Sequence, residues 1–199
     1  MTTSRRQFLG LAGGAAAAAL HVDRSPAFAQ APAVKIGVLA AKAGVTAPVG
    51  ESGLRGTQFA VERINAAGGI NGRKINFITL DDGYSPPKTV EQVRKLVEQD
   101  QVLIVFNPLG TPTNTAIQKY INAKKVPHLF LATGASKWGN PKEFPWTMGW
   151  QPPYTVEGAI YAKYILKTMP DAKIAILYQN DDYGKDYLNG FKDGLGEAG

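Results

Sequence analysis

Residues able to carry out chemistry are sparse in this chain of 199 residues. It has no Cys and two His, His21 and His128. No disulfide, thiolate metal site or Cys nucleophile is available. A Ser-His-Asp triad would have to rest on His128, because His21 falls in a segment read below as a leader. His128 begins the apolar run HLFLA, and no elbow sequence presents a Ser to it. The expectation is a packed, hydrogen-bonded histidine. Two acidic pairs, Asp81-Asp82 and Asp181-Asp182, each follow an apolar run. Neighbours on extended chain point opposite ways, so neither pair is a natural dyad. Helix capping and loop solvation are their expected uses. Gly50, Gly53 and Gly56 with Asp81 mimic a dinucleotide fingerprint, but Gly50 comes ten residues after the run ending at Ala40. Glu51 would also bring negative charge to the place of a pyrophosphate. Walker A and EF-hand spacings are missing. No catalytic residue, cofactor or metal ion is expected.

Two loops are more informative. Leu109-Gly110-Thr111-Pro112-Thr113 and Ala132-Thr133-Gly134-Ala135-Ser136 each follow an apolar run and are rich in small residues and hydroxyls. Small residues let a ligand approach backbone N–H groups, and hydroxyls add adjustable donors for a carboxylate or carbonyl. Thr111, Thr113 and Ser136 would serve equally as helix caps. Trp138 and Tyr183 also fall between predicted elements, where large aromatics mark binding more often than they do in a core.

The elements that position these loops alternate. Strands are predicted at 34–40, 74–80, 102–106, 128–132, 146–150 and 173–178, from short, mostly apolar runs, the first of them rich in β-branched residues. Helices are predicted at 51–67, from Ser85 through Val97, at 113–124, at 153–169, and from Tyr183 or Gly184 into the end of the chain. Their expected buried stripes are Leu54, Val61 and Ile64; Val90, Val93 and Val97; and Val156, Ile160, Tyr164 and Leu166. Strand–helix alternation implies right-handed crossovers and a parallel sheet with helices on both faces, an α/β fold. In such sheets ligands bind beyond the carboxyl ends of the strands, where both loops fall. The last predicted strand has no obvious sheet of its own, which suggests an incomplete second lobe.

Residues 1–29 read as an address. Ser4-Arg5-Arg6-Gln7-Phe8-Leu9 leads into a Leu/Gly/Ala stretch too short to span a bilayer, and Ala27-Phe28-Ala29 fits an A-x-A cleavage site after Ala29. The paired arginines resemble a twin-arginine export signal, which implies the twin-arginine translocase and a periplasmic destination. Removing this segment takes away three arginines and one aspartate, so the formal charge of +6 falls to +4. No basic run survives, and nucleic acid is not an expected partner. No later apolar run approaches membrane-spanning length, so a soluble protein is expected.

A specific resemblance joins these features. KIGVLAAKAG, then Gly56 to Gly72 (GTQFAVERINAAGGING), the strand ending Asp81-Asp82, AIYAKYIL at 159–166 and ILYQNDDYGKD at 176–186 resemble the leucine/isoleucine/valine-binding protein family. The resemblance covers almost all of 34–199. It implies the type I periplasmic-binding fold, parallel sheets flanked by helices in two lobes that close on a small ligand. Residues 30–150 would be the first lobe, and 151–199 the crossover and an incomplete second lobe. It implies a substrate-binding component of an ABC importer, capturing a small solute such as a branched-chain amino acid for a permease in the inner membrane. By the same resemblance the ligand carboxylate would meet the loop at Gly110 and Thr111, where the family uses a serine, and the loop of Gly134, Ala135 and Ser136, with Tyr183 covering it from the second lobe. The family's acid for a ligand ammonium falls beyond Gly199, and Val49 stands where an aromatic ring is common. A receptor for aromatic or aliphatic acids or amides, a periplasmic ligand sensor and a secreted enzyme are the other readings.

Overall fold

A computed structural model describes residues 32–198. The export signal at Arg5-Arg6 and the cleavage site at Ala29 lie outside the described residues. Five apolar runs become strands β1 (Val34–Ala40), β2 (Ile75–Asp81), β3 (Ile104–Phe106), β4 (His128–Leu131) and β5 (Thr147–Gly149). They form one parallel sheet in the order β2-β1-β3-β4-β5. Helices α1 (Ala47–Ala66), α2 (Pro86–Arg94) and α3 (Thr111–Lys124) make the first three crossovers. A loop with one tight turn, Ser136–Gly139, links β4 to β5. Helices α4 (Tyr154–Thr168) and α5 (Asp182–Leu195) follow. The strand order reverses between β1 and β3, which leaves a crevice beyond their carboxyl ends.

The main core lies where α2 and α3 cover the sheet. Leu39, Val93, Leu96, Val105, Ile117 and Ile121 are fully buried there. Val93 fulfils the expected α2 stripe, with Val90 and Val97 packed alongside. A second cluster gathers Leu131, Ala135 and Trp138 against Tyr154. Among the described residues no helix is long and apolar enough to cross a membrane.

The structure departs from the sequence expectations at Ile64, which is exposed rather than part of a buried α1 stripe, at the start of α1, which is Ala47 rather than residue 51, and in four further features. First, β4 is not regular: Phe130 takes φ +56 and the pairing with β5 shifts between Leu129 and Leu131. Asn107 Nδ2 donates to the Phe130 carbonyl at 2.7 Å, which holds the bulge. Second, Val156, Ile160 and Tyr164 on α4 are exposed, while Gly158 and Ala162 are its buried positions. Small residues let α5 approach closely, and the larger side chains turn away. Third, Lys173–Tyr178 has no strand partner among the described residues and is exposed throughout. Fourth, α5 does not run on to the end of the chain. It stops at Leu195, where Gly196 adopts φ +59.

Candidate functional site

The loops after β2, β3 and β4 meet at the carboxyl edge of the sheet, with the first turns of α4 and α5 against them. Each loop is built locally. After β2, Asp81 Oδ1 accepts the backbone N–H groups of Lys42 at 2.8 Å and Gly83 at 2.9 Å. The Lys42 N–H is the main reason its carboxyl is held below the ordinary range. Asp82 is buried. Its Oδ1 accepts from the Tyr84 N–H at 3.1 Å and its Oδ2 from the Thr89 hydroxyl at 2.8 Å. Burial pushes its carboxyl up. The pair thus organises backbone, as a loop-solvating reading expects. Asp181 likewise caps α5, accepting from the Gly184 N–H at 3.1 Å.

After β3, Gly110 adopts φ +97, and a Cβ there would overlap the ring of Tyr84. A glycine is therefore required on both counts. Thr111 opens α3, buried to 2%, with its hydroxyl 2.5 Å from that of Thr133. This contact braces the two hydroxyl-rich loops against each other. Thr113 donates back to the Gly110 carbonyl at 3.0 Å. Neither threonine caps α3, because its N-cap is Gly110. Asn114 Nδ2 donates to the carbonyls of Pro108 at 2.9 Å and Gly110 at 2.6 Å. Its oxygen lies 2.7 Å from His128 Nε2. The expected packed, hydrogen-bonded histidine is found.

After β4, Gly134 and Ala135 are buried and Ser136 is exposed. The Gly134 carbonyl accepts the Tyr154 N–H at 2.8 Å, and a Cβ on Gly134 would come within 2.9 Å of the Tyr154 ring. The Ser136 N–H donates to Asp186 Oδ2 at 2.7 Å, and its hydroxyl lies 3.3 Å from that of Thr155. Lys137 bridges to Asp182 at 3.0 Å and to Thr115 at 3.2 Å. A cavity of about 430 Å³ adjoins this loop, lined by Ser136, Trp138, Met148, Trp150 and Pro153 among others. Trp138 is buried with its indole N–H 3.3 Å from the Thr133 hydroxyl, so it packs rather than projecting from its loop. Tyr183 belongs to the first turn of α5. Its ring stands edge-on to Tyr154 at 4.9 Å and to Tyr187 at 5.4 Å. Burial pushes its phenol up.

The structure thus gathers Gly110, Thr111, Gly134, Ala135, Ser136 and Tyr183 at one edge of the sheet. Sequence reasoning did not place Tyr84, Thr133, Tyr154 and Asp186 among the candidate site residues. A hydroxyl-rich loop pointed towards Thr133. Nothing local marks Asp186, which reaches the site only through the docking of α5.

Comparison with known proteins follows the same lines. Residues 33–199 match the family described as periplasmic binding protein. An amino acid binding protein of Pseudomonas aeruginosa is 29% identical over 173 residues, covering 83% of this chain and 44% of that protein. The leucine-specific-binding protein of Salmonella typhimurium is 28% identical over 171 residues, covering 84% and 45%. The solved branched-chain amino acid transporter substrate binding protein LivJ of Streptococcus pneumoniae, in complex with isoleucine, superposes with a TM-score of 0.73 at 26% identity, covering 81% of this chain and 46% of that one. The chain spans less than half the length of these relatives.

Proposed function

The chain belongs to the periplasmic binding protein family, and from that premise we propose that the full-length protein is the substrate-binding component of an ABC importer. It captures a small carboxylate-bearing solute, such as a branched-chain amino acid, and presents it to a permease in the inner membrane. Residues 30–150 form the first lobe, and 151–199 the crossover and the start of a second. Arg5 and Arg6 address the chain to the twin-arginine translocase, with cleavage after Ala29 and delivery to the periplasm.

One observation carries the reading at the level of residues. The Ser136 N–H, at the carboxyl edge of the sheet, already holds a carboxylate, that of Asp186 at 2.7 Å. A backbone donor that binds a side-chain carboxylate can bind the carboxylate of a solute in the same way. The Ser136 hydroxyl offers a second donor beside it. Gly110 and Gly134 give the rings of Tyr84 and Tyr154 room to pack over the two loops, and Tyr183 closes the site. Thr111 acts by bracing, through Thr133. The mechanism is capture: the solute favours the closed arrangement of the lobes by touching both.

A receptor for aromatic acids is the second reading. The packed rings of Tyr154, Tyr183 and Tyr187 favour it, because aromatic faces and edges accept a ring better than an aliphatic chain does.

The test is a thermal-shift screen of the full-length protein against the twenty amino acids, benzoate, phenylacetate and octanoate. The proposal expects at least one carboxylate to raise the melting temperature by several degrees, rising with the logarithm of its concentration once that exceeds Kd. No shift with any of them would overturn it.

A further inference from the structure

Resting on that reading, we infer that Tyr84 is a solute-contacting residue whose hydroxyl and ring form the inner wall of the cleft beside the solute's carboxylate. Tyr84 sits at φ +59, directly after Gly83 at φ +55. A bulky L-residue is costly in this left-handed region, which Gly or Asn enters readily. The turn itself does not call for a tyrosine.

The surrounding residues nevertheless hold it there. Asp82 accepts the Tyr84 N–H through Oδ1, and the Asp82 carbonyl accepts the Ser85 N–H at 2.9 Å. Pro86 keeps Ser85 extended at φ −107 and ψ 114, as a residue before proline must be. The buried Thr89 hydroxyl anchors the other oxygen of Asp82. An unfavourable conformation fixed this thoroughly belongs with sites that are preorganised for binding.

The ring is directed to one place. It lies over Gly110, with its Cζ 3.0 Å from where a Cβ would stand. Two demanding positions therefore interlock: Tyr84 in the left-handed region, and Gly110 at φ +97 without a side chain. The half-buried phenol is near Asp181, Tyr154 and Tyr183, with the Gln179 side chain against it. A residue of the β2 loop thereby reaches the groups that cover the Ser136 loop. A phenol hydroxyl there donates to a carboxylate or carbonyl oxygen, and the ring bounds the apolar body that follows it. The class assigned is a carboxylate solute with an apolar or aromatic body.

The experiment uses the full-length protein, with calorimetric titration of the carboxylate that gives the largest thermal shift in the screen above. Tyr84→Phe should weaken its binding about tenfold, the loss of one hydrogen bond to a charged group, with the melting temperature unchanged to within about 2 °C. Tyr84→Gly should lose binding further while melting at the same or a higher temperature, because the strain is released. Affinity unchanged to within about twofold in both variants would overturn the role of Tyr84 and leave the solute-binding reading intact. A fall of more than about 5 °C in Tyr84→Gly would mark a packing residue and overturn it too. A full-length protein that answers to no carboxylate in the screen overturns the solute-binding reading, and this inference with it.

Discussion

His128 has no hydrogen-bond partner on Nδ1 and is fully buried. The amide nitrogen of Asn114 is committed to two carbonyls, so its oxygen accepts and His128 Nε2 must donate. The ring is therefore neutral, and burial lowers its pKa to about 3 from an ordinary 6.5. A base depressed in this way contributes stability that is complete above pH 6.5 and is lost as the pH falls towards 3. The loss has a limiting slope of about 1.4 kcal/mol per pH unit. In His128→Gln, whose amide keeps a donor near the Nε2 position, the melting temperature should fall less steeply between pH 6 and pH 4 (roughly the middle of that window). An unchanged acid limb would place the titration elsewhere. At the site, Ser136→Ala removes one hydroxyl and should weaken solute binding by about 1 kcal/mol in calorimetry. Unchanged affinity would take that hydroxyl out of the site. Single residues were legible where chemistry is local: His128 in an apolar run, and the loop-organising Asp81-Asp82 and Asp181. Tyr84 was not legible, because no neighbouring residue type announces a tyrosine in the left-handed region. Its partner Gly110 lies 26 positions on.

Helices α4 and α5 meet backbone to backbone. A Cβ on Gly190 would overlap the Thr155 carbonyl, one on Gly194 would come within 2.7 Å of Ala159 Cα, and one on Gly158 within 2.6 Å of the Tyr187 carbonyl. Tyr187 adds a hydrogen bond from its hydroxyl to Glu157. Gly190→Ala should force the helices apart and cost about 1–3 kcal/mol, read as a lower denaturant midpoint at unchanged slope. An unshifted midpoint would mean the two helices do not pack this closely. The glycines also explain why the α4 stripe misled. Periodicity finds the large apolar residues, whereas this interface selects the small ones. Five of the six predicted strands were legible, β1, β2 and β3 through β-branched runs bounded by turn or loop residues. The bulge at Phe130 was not, since a one-residue register shift depends on Asn107 across the sheet. The start of α1 at Ala47 was missed by four residues; Pro48 sits in its first turn, where a missing N–H costs little.

At the scale of the whole molecule, exposed apolar side chains gather at residues 174–178 and on α4. Ile174, Ile176, Leu177 and Tyr178 are exposed and line a cavity with the exposed Tyr161 of α4. The sequence marked 173–178 as a buried strand, and its composition still says so. Its ladder partners are what the described residues lack. Under the proposed two-lobe architecture this segment is an inner strand of the second lobe. Leu177→Lys separates the alternatives. In the 199-residue chain, where Leu177 is 102% exposed, it should change stability by no more than about 0.5 kcal/mol. In the full-length protein it should cost about 2 kcal/mol or more by burying a charge. Equal, small effects in both would contradict the two-lobe proposal. The central claim concerns a backbone donor, the Ser136 N–H, and one titration addresses it. Ala135 is extended at φ −62 and ψ 134, and Ser136 opens a short turn, so proline fits at 136 and removes the N–H. Calorimetric titration of full-length Ser136→Pro with the carboxylate found by screening should show affinity weakened about tenfold to a hundredfold relative to Ser136→Ala, the worth of a hydrogen bond to a charged group. Equal affinity in the two variants would contradict the account.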